Sequence, residues 1–151
     1  MMIEPHEIDA LVEELGRGSM AWTNGRLEEE DVKLYRQDEA MTLVGPFGGE
    51  PLRGKSAWAD RQARIVKAFT SGTGRCELIS AITGGDLAVI VLVERFEVTF
   101  AGEAAPQRWA LRTTQVFRKE QPGGWTRLHR HADPLIDFRP LPLTTALARG
   151  A

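Results

Sequence analysis

The chain of 151 residues contains one cysteine, one tyrosine and three histidines. A lone cysteine, Cys76, cannot close an internal disulfide, and it cannot build a thiolate metal cluster. Its neighbours Glu77, Leu78 and Ile79 have the character of a strand, so Cys76 is expected to be a buried, inert thiol rather than a nucleophile. Long apolar runs are also missing. The longest is Leu87 to Val93, far below the roughly 20 residues that a membrane helix needs. The first residues lack the basic-then-apolar layout of a signal peptide, so the expected compartment is the cytoplasm, and no membrane partner is expected. Basic clustering is absent too. Nineteen Lys and Arg are scattered among 21 Asp and Glu, for a net charge of −2. Nucleic acid is therefore not an expected partner. What the chain does have is 42% apolar and 26% charged residues in a length suited to one domain. That is enough to bury a core without covalent staples.

The spacing of apolar residues predicts helices first and strands later, the order of an α+β fold. Pro5 to Asn24 carries Ile8, Leu11, Val12 and Leu15 on one helical stripe, with Pro5 in its first turn and Asn24-Gly25 as its stop. Gly16 and Gly18 weaken the middle, where a bend is expected. Leu27 to Arg36 reads as a second helix, Ala40 to Val44 as a short strand, and Gly54 to Thr70 as a third helix. Gly45-Pro46-Phe47-Gly48-Gly49 between them is a tight loop. From there the period becomes two. Strands are expected at Gly74 to Thr83, Leu87 to Phe100, Arg108 to Lys119 and Gly124 to Asp133, in a largely antiparallel sheet. The tail from Pro140 to Ala151 is expected to be irregular.

Leu87 to Val93 is apolar on both strand faces, whereas a half-exposed strand would alternate. One face needs a second cover. A second copy of the sheet supplies one and predicts a homodimer; the tail from Ile136 to Leu147 is the alternative.

The residues with the most chemistry lie on the last strand. Simple alternation puts Trp125, Arg127, His129, His131 and Asp133 on one face, about 6.6 Å apart. Three arrangements fit: a cavity wall whose imidazoles bond a ligand, a His-x-His-x-Asp metal site, or histidines that only meet backbone partners. Glu94 shares a face with apolar Phe96, Val98 and Phe100, which suits it to proton exchange or to an ion pair with Arg112 on the next strand. Arg112 would otherwise anchor an anionic ligand. Trp22, Tyr35, Phe47, Trp58 and Trp109 belong to the core or, in part, to a cavity wall.

Other chemistries find little support. There is no Gly-x-Ser-x-Gly elbow for a serine nucleophile. Gly49 and Gly54 stand before Lys55-Ser56 at phosphate-loop spacing, but Pro51 interrupts the loop and the later chain is antiparallel. Lys55 and Ser56 read instead as the start of the third helix.

Four strings carry a family resemblance: Trp22-Thr23-Asn24-Gly25, Thr42 to Gly49, Leu111 to Arg118, and Gly124-Trp125 through His129-Arg130-His131-Ala132-Asp133-Pro134-Leu135. With the element order, they make residues 6–136 resemble the SnoaL-like, ketosteroid-isomerase-like branch of the nuclear transport factor 2-like superfamily. The resemblance implies a single domain over residues 1–139. Its fold would be a cone in which a curved, mostly antiparallel sheet wraps three N-terminal helices around a cavity. It also implies dimers through the convex sheet face. The superfamily includes isomerases, cyclases, dehydratases and epoxide hydrolases as well as non-catalytic domains, and no matching isomerase base aligns here.

Two functions are therefore expected. One is a cofactor-independent, metal-free acid–base enzyme acting on a small, partly apolar molecule. In it Glu94, His129 or His131 would move the proton, and Trp22, Tyr35, Phe47, Trp58, Arg112 and Asp133 would contact the ligand. The other is a non-catalytic ligand-binding or accessory dimerisation domain with the same cavity.

Overall fold

A computed structural model describes residues 2–149 of the chain. Helix α1 spans Pro5–Thr23 and the single turn α2 spans Glu28–Asp31. Strands β1 (Tyr35–Val44) and β2 (Leu52–Arg53) precede α3 (Lys55–Ile65), which runs into a 3-10 turn at Val66–Ala68. Four long strands follow: β3 (Phe69–Gly84), β4 (Leu87–Phe100), β5 (Gln107–Lys119) and β6 (Trp125–Pro134). Helix α4 (Leu141–Ala148) ends the described chain. No helix among the described residues is long and apolar enough to cross a membrane.

The amphipathic pattern of α1 does what it predicts. Pro5 opens the helix, Glu4 and Glu7 form a reciprocal capping box, and Gly25 follows its end at φ 74°. Ile8, Leu11 and Leu15 pack against Ala88, Ile90 and Leu92 of β4 and Phe117 of β5. At the other end of the sheet, Phe69, Phe96, Val98, Leu111 and Ala132 form a second cluster against Trp22 and Ile65. Trp58 of α3 is buried on Met41 and Leu43 of β1. The helices thus cover one face of a six-stranded sheet ordered β2-β1-β6-β5-β4-β3. All neighbours are antiparallel except β1 and β6, which are parallel and joined by most of the chain.

Three local expectations need correction. The second helix is only one turn, because the chain leaves it at Val32 in extended conformation. Its apolar residues Val32, Leu34 and Tyr35 instead enter the core around the start of β1, so Tyr35 is a strand residue. The third helix stops at Ile65, and β3 begins earlier than its glycines suggested, at Phe69. The tail is not wholly irregular: Leu141–Ala148 is helical, though no residue of it is buried. Residues 150 and 151 of the predicted tail lie outside the described residues. Ile136, Phe138, Leu141 and Leu147 are exposed. The tail therefore does not find its own cover.

Candidate functional site

One irregularity decides which side chains face the helices. Along β5 and β6, Val116 pairs with His129 but Phe117 pairs with Arg127, so Leu128 is an extra residue. Such a bulge reverses the alternation of everything beyond it. Before the bulge, Trp125 and Arg127 point to the inner, helix-covered face, as buried partners of Tyr35 and Phe117. After it, Arg130 and Ala132 point inward, while His129, His131 and Asp133 point outward. The two histidines and the aspartate do share a side, but it is the opposite side from Trp125 and Arg127.

The inner face carries two arginine–glutamate pairs. Arg127 reaches Glu28 with Nη2–Oε1 at 2.8 Å and Nη1–Oε2 at 3.2 Å, and its guanidinium lies 4.8 Å from the Tyr35 ring centre. The Tyr35 hydroxyl donates to Glu28 as well. Burial alone would raise the Glu28 carboxyl, but the charge and hydrogen bonds of Arg127 outweigh it and hold the group below its ordinary value. Tyr35 is pushed well above the usual phenol range by burial and by the negative charge of Glu28. Helix α1 comes close to this cluster at Gly18, where a methyl group would stand 2.6 Å from the Tyr35 hydroxyl and 2.7 Å from Glu28 Cγ. Gly18 is thus required by packing rather than by a bend.

The second pair is bidentate. Arg130 donates to both oxygens of Glu94, at 2.6 and 2.8 Å, and Gln115 Nε2 lies 3.3 Å from Oε1. Burial opposes the charge on Arg130, and Glu94 reverses that effect, so the guanidinium is held above its ordinary value. Glu94 does face Phe96 and Val98 inside the fold, as its strand position predicted. Its ion-pair partner, however, is Arg130 and not Arg112. Nearby Cys76 has its thiol pushed up to about 12 by burial and by the charge of Glu94, which leaves it inert at neutral pH.

Around these pairs runs an aromatic wall. Trp22 stacks on Trp109 with ring centres 5.7 Å apart, Phe47 also stacks on Trp109 at 5.8 Å, and Phe96 lies 5.5 Å from Trp22. The Trp22 indole N–H donates to Gln62 Oε1 at 2.9 Å. Between wall and ion pairs is a cavity of about 40 Å³, lined by Trp22, Phe47, Phe96, Arg61, Gln62, Glu28, Glu94, Arg127 and Arg130 among others. That volume holds only a few water molecules. Phe47 sits on the Gly45–Gly49 loop and is 54% exposed, so it is the wall residue least tied down by packing.

The outer face is chemically different. His129 Nδ1 lies 2.6 Å from Thr42 Oγ1. Its pKa is lowered, chiefly by partial burial and then by the neighbouring His131. Arg112 and Asp133 form an exposed bidentate pair at 2.8 and 2.6 Å. Among the described residues, no three His, Cys, Asp or Glu side chains gather as metal ligands. Lys55 begins α3 behind Gly54 and pairs with Glu29 at 2.9 Å.

Residues 21–137 match the family described as the SnoaL-like domain. The chain belongs to that family. Solved structures agree on the fold. A nuclear transport factor 2-like superfamily protein from Salmonella enterica is 18% identical with a TM-score of 0.69, over 89% of this chain and 94% of its own. An uncharacterised protein with a cystatin-like fold from Caulobacter vibrioides is 18% identical with a TM-score of 0.63, over 87% and 92%. A ketosteroid isomerase-like protein from Erwinia carotovora atroseptica is 14% identical with a TM-score of 0.61, over 87% and 92%. At these identities the likeness concerns architecture alone. A comparison with curated proteins finds no match.

In this SnoaL-like domain, therefore, Glu94, Trp22 and Phe47 of the expected site residues line the cavity, and Tyr35 supports it through Glu28. Trp58 is buried in the core beside β1. His129, His131, Arg112 and Asp133 lie across the sheet from it. Sequence reasoning missed Arg127, Arg130, Glu28 and Arg61. Arg127 was legible as a neighbour of Trp125 on one face. Arg130 was not, because Leu128 is an ordinary strand residue that gives no sign of a bulge. Glu28 is one of four consecutive acids, and only the position of Gly18 beneath it distinguishes it.

Proposed function

We propose that this SnoaL-like domain is a binding domain for a small, partly apolar molecule that enters between the aromatic wall and the two arginine–glutamate pairs. The observation that carries the reading is the state of the two cavity carboxylates. Every oxygen of Glu28 and Glu94 already accepts a hydrogen bond from arginine. A carboxylate paired this way is committed to its arginine, and the arginine–carboxylate plane makes a fixed polar floor for a ligand. The small present volume means that entry displaces Phe47, whose loop has Gly48 and Gly49 at positive φ.

A second reading is a cofactor-independent acid–base enzyme, and one observation favours it. Glu94 and Arg130 both line the cavity, so a ligand that draws off Arg130 uncovers Glu94 as a base. The binding reading also includes a homodimer across the outer sheet face, where Val89, Val91 and Val93 are only half-covered and Ile79 and Ile82 are exposed. A reducing compartment such as the cytoplasm suits the single free thiol.

Calorimetric titration with 1-naphthol, a neutral probe, tests the reading. Binding is expected in wild type, weakened roughly tenfold or more by Trp22→Ala or Phe96→Ala and unchanged by His129→Ala or His131→Ala. The reverse pattern would place the site on the outer face and overturn it.

A further inference from the structure

Resting on that reading, we propose that the cavity selects a monoanionic aromatic ligand, such as an aromatic carboxylate, and that Arg61 at its mouth recognises the negative group. The cavity is lined by three cations, Arg61, Arg127 and Arg130, and two carboxylates, Glu28 and Glu94. Arg127 is neutralised by Glu28 and Arg130 by Glu94. Arg61 is left over. Among the described residues it has no carboxylate within ion-pair distance and no hydrogen-bond acceptor. The lining thus carries one uncompensated positive charge, and it lies at the end where Phe47 closes the wall.

Arg61 also lies against the loop that carries Phe47. It projects from the middle of α3 onto the Gly45–Gly49 loop. A methyl group at Gly45 would stand 3.2 Å from Arg61 Nη1, and one at Gly49 would stand 3.4 Å from Nη2. The guanidinium thus lies beside the loop at these two glycines. A guanidinium with its N–H groups unspent is a fork for a planar carboxylate. Gln62, the next residue, lines the same cavity and anchors Trp22. The ring-binding wall and the charge-binding group are thus set by adjacent residues of one helix. The ring of the ligand takes the face of Trp109 now covered by Phe47 or that of Trp22, and its carboxylate meets Arg61.

The test compares 1-naphthoate with neutral 1-naphthol by calorimetry on wild type, Arg61→Gln, Arg61→Lys and the outer-face variant Arg112→Gln. The expected result has four parts. Wild type binds 1-naphthoate more tightly than 1-naphthol, and added salt narrows the gap. Arg61→Gln loses roughly tenfold or more of the naphthoate affinity while keeping naphthol binding, which also reports an intact fold. Arg61→Lys recovers part of the loss. Arg112→Gln changes nothing. Equal binding of the two probes, or an Arg61→Gln protein that keeps its naphthoate affinity, overturns the anion assignment and leaves the cavity reading standing. Failure of both probes to bind wild type overturns both.

Discussion

The two faces of β6 lie a few ångströms apart and differ in almost every physical respect. The inner face buries two guanidinium groups, each in a bidentate carboxylate pair, and that of Arg127 also lies over the Tyr35 ring. The outer face bears a half-covered histidine, an exposed histidine and an exposed arginine–aspartate pair. Both faces contain ionisable groups in regular strand spacing, so composition alone does not rank them. Burial does. On the inner face a missing partner leaves an unpaired charge in a low dielectric, whereas on the outer face water replaces it.

The comparison breaks most severely if the alternation beyond the bulge is reversed. Inserting one alanine between His129 and Arg130 would turn Arg130 and Ala132 outward and carry His131 and Asp133 towards the core cluster. We expect loss of cooperative folding, measured as the disappearance of a thermal transition in circular dichroism. Next in size is Arg127→Ala, which leaves Glu28 buried without its cation and removes a side chain only 1% exposed. The expected loss is about 3–5 kcal/mol in chemical denaturation, and Glu28→Gln added to it should recover part of that. On the outer face, Arg112→Ala removes an equally well-formed pair whose side chains are 61% and 42% exposed. The expected cost is about 1 kcal/mol or less, and it should shrink further in salt.

The smallest effect is a pH dependence. His129 has its folded pKa lowered, so the folded state binds its proton less readily than the unfolded chain. Its contribution to stability is therefore full above the unfolded value, about 6.5, and is lost as pH falls from there through the lower folded value. The melting temperature of His129→Gln should fall less steeply than that of wild type over this window. An identical slope would remove His129 from the account.

How much of this was legible in the sequence depends on the range of the interaction. The period of α1, the two-faced apolar run of β4 and the turns between the long strands are local, and they appear where the residue pattern put them. Glu94 was legible because its strand alternates without interruption up to Phe100. The choice between His129 and Arg130 was not, because it depends on one inserted residue whose position is set by pairing with β5 and β1. Tyr35 went astray for a similar reason. Val32, Leu34 and Tyr35 fit a helical stripe and a strand entry equally well, and the parallel pairing of Tyr35 with Trp125, 90 residues on, decides between them. The role of Arg61 depends on which arginines already have partners, which the chain order does not state.

The central claim is that the inner face, and not the histidine face, meets the ligand. Nuclear magnetic resonance titration with 1-naphthoate tests it directly, following the indole N–H signals of Trp22 and Trp109 beside the imidazole signals of His129 and His131. The account predicts saturable shifts in the indole signals with the imidazole signals unmoved. Saturable imidazole shifts with the indole signals unmoved would contradict it.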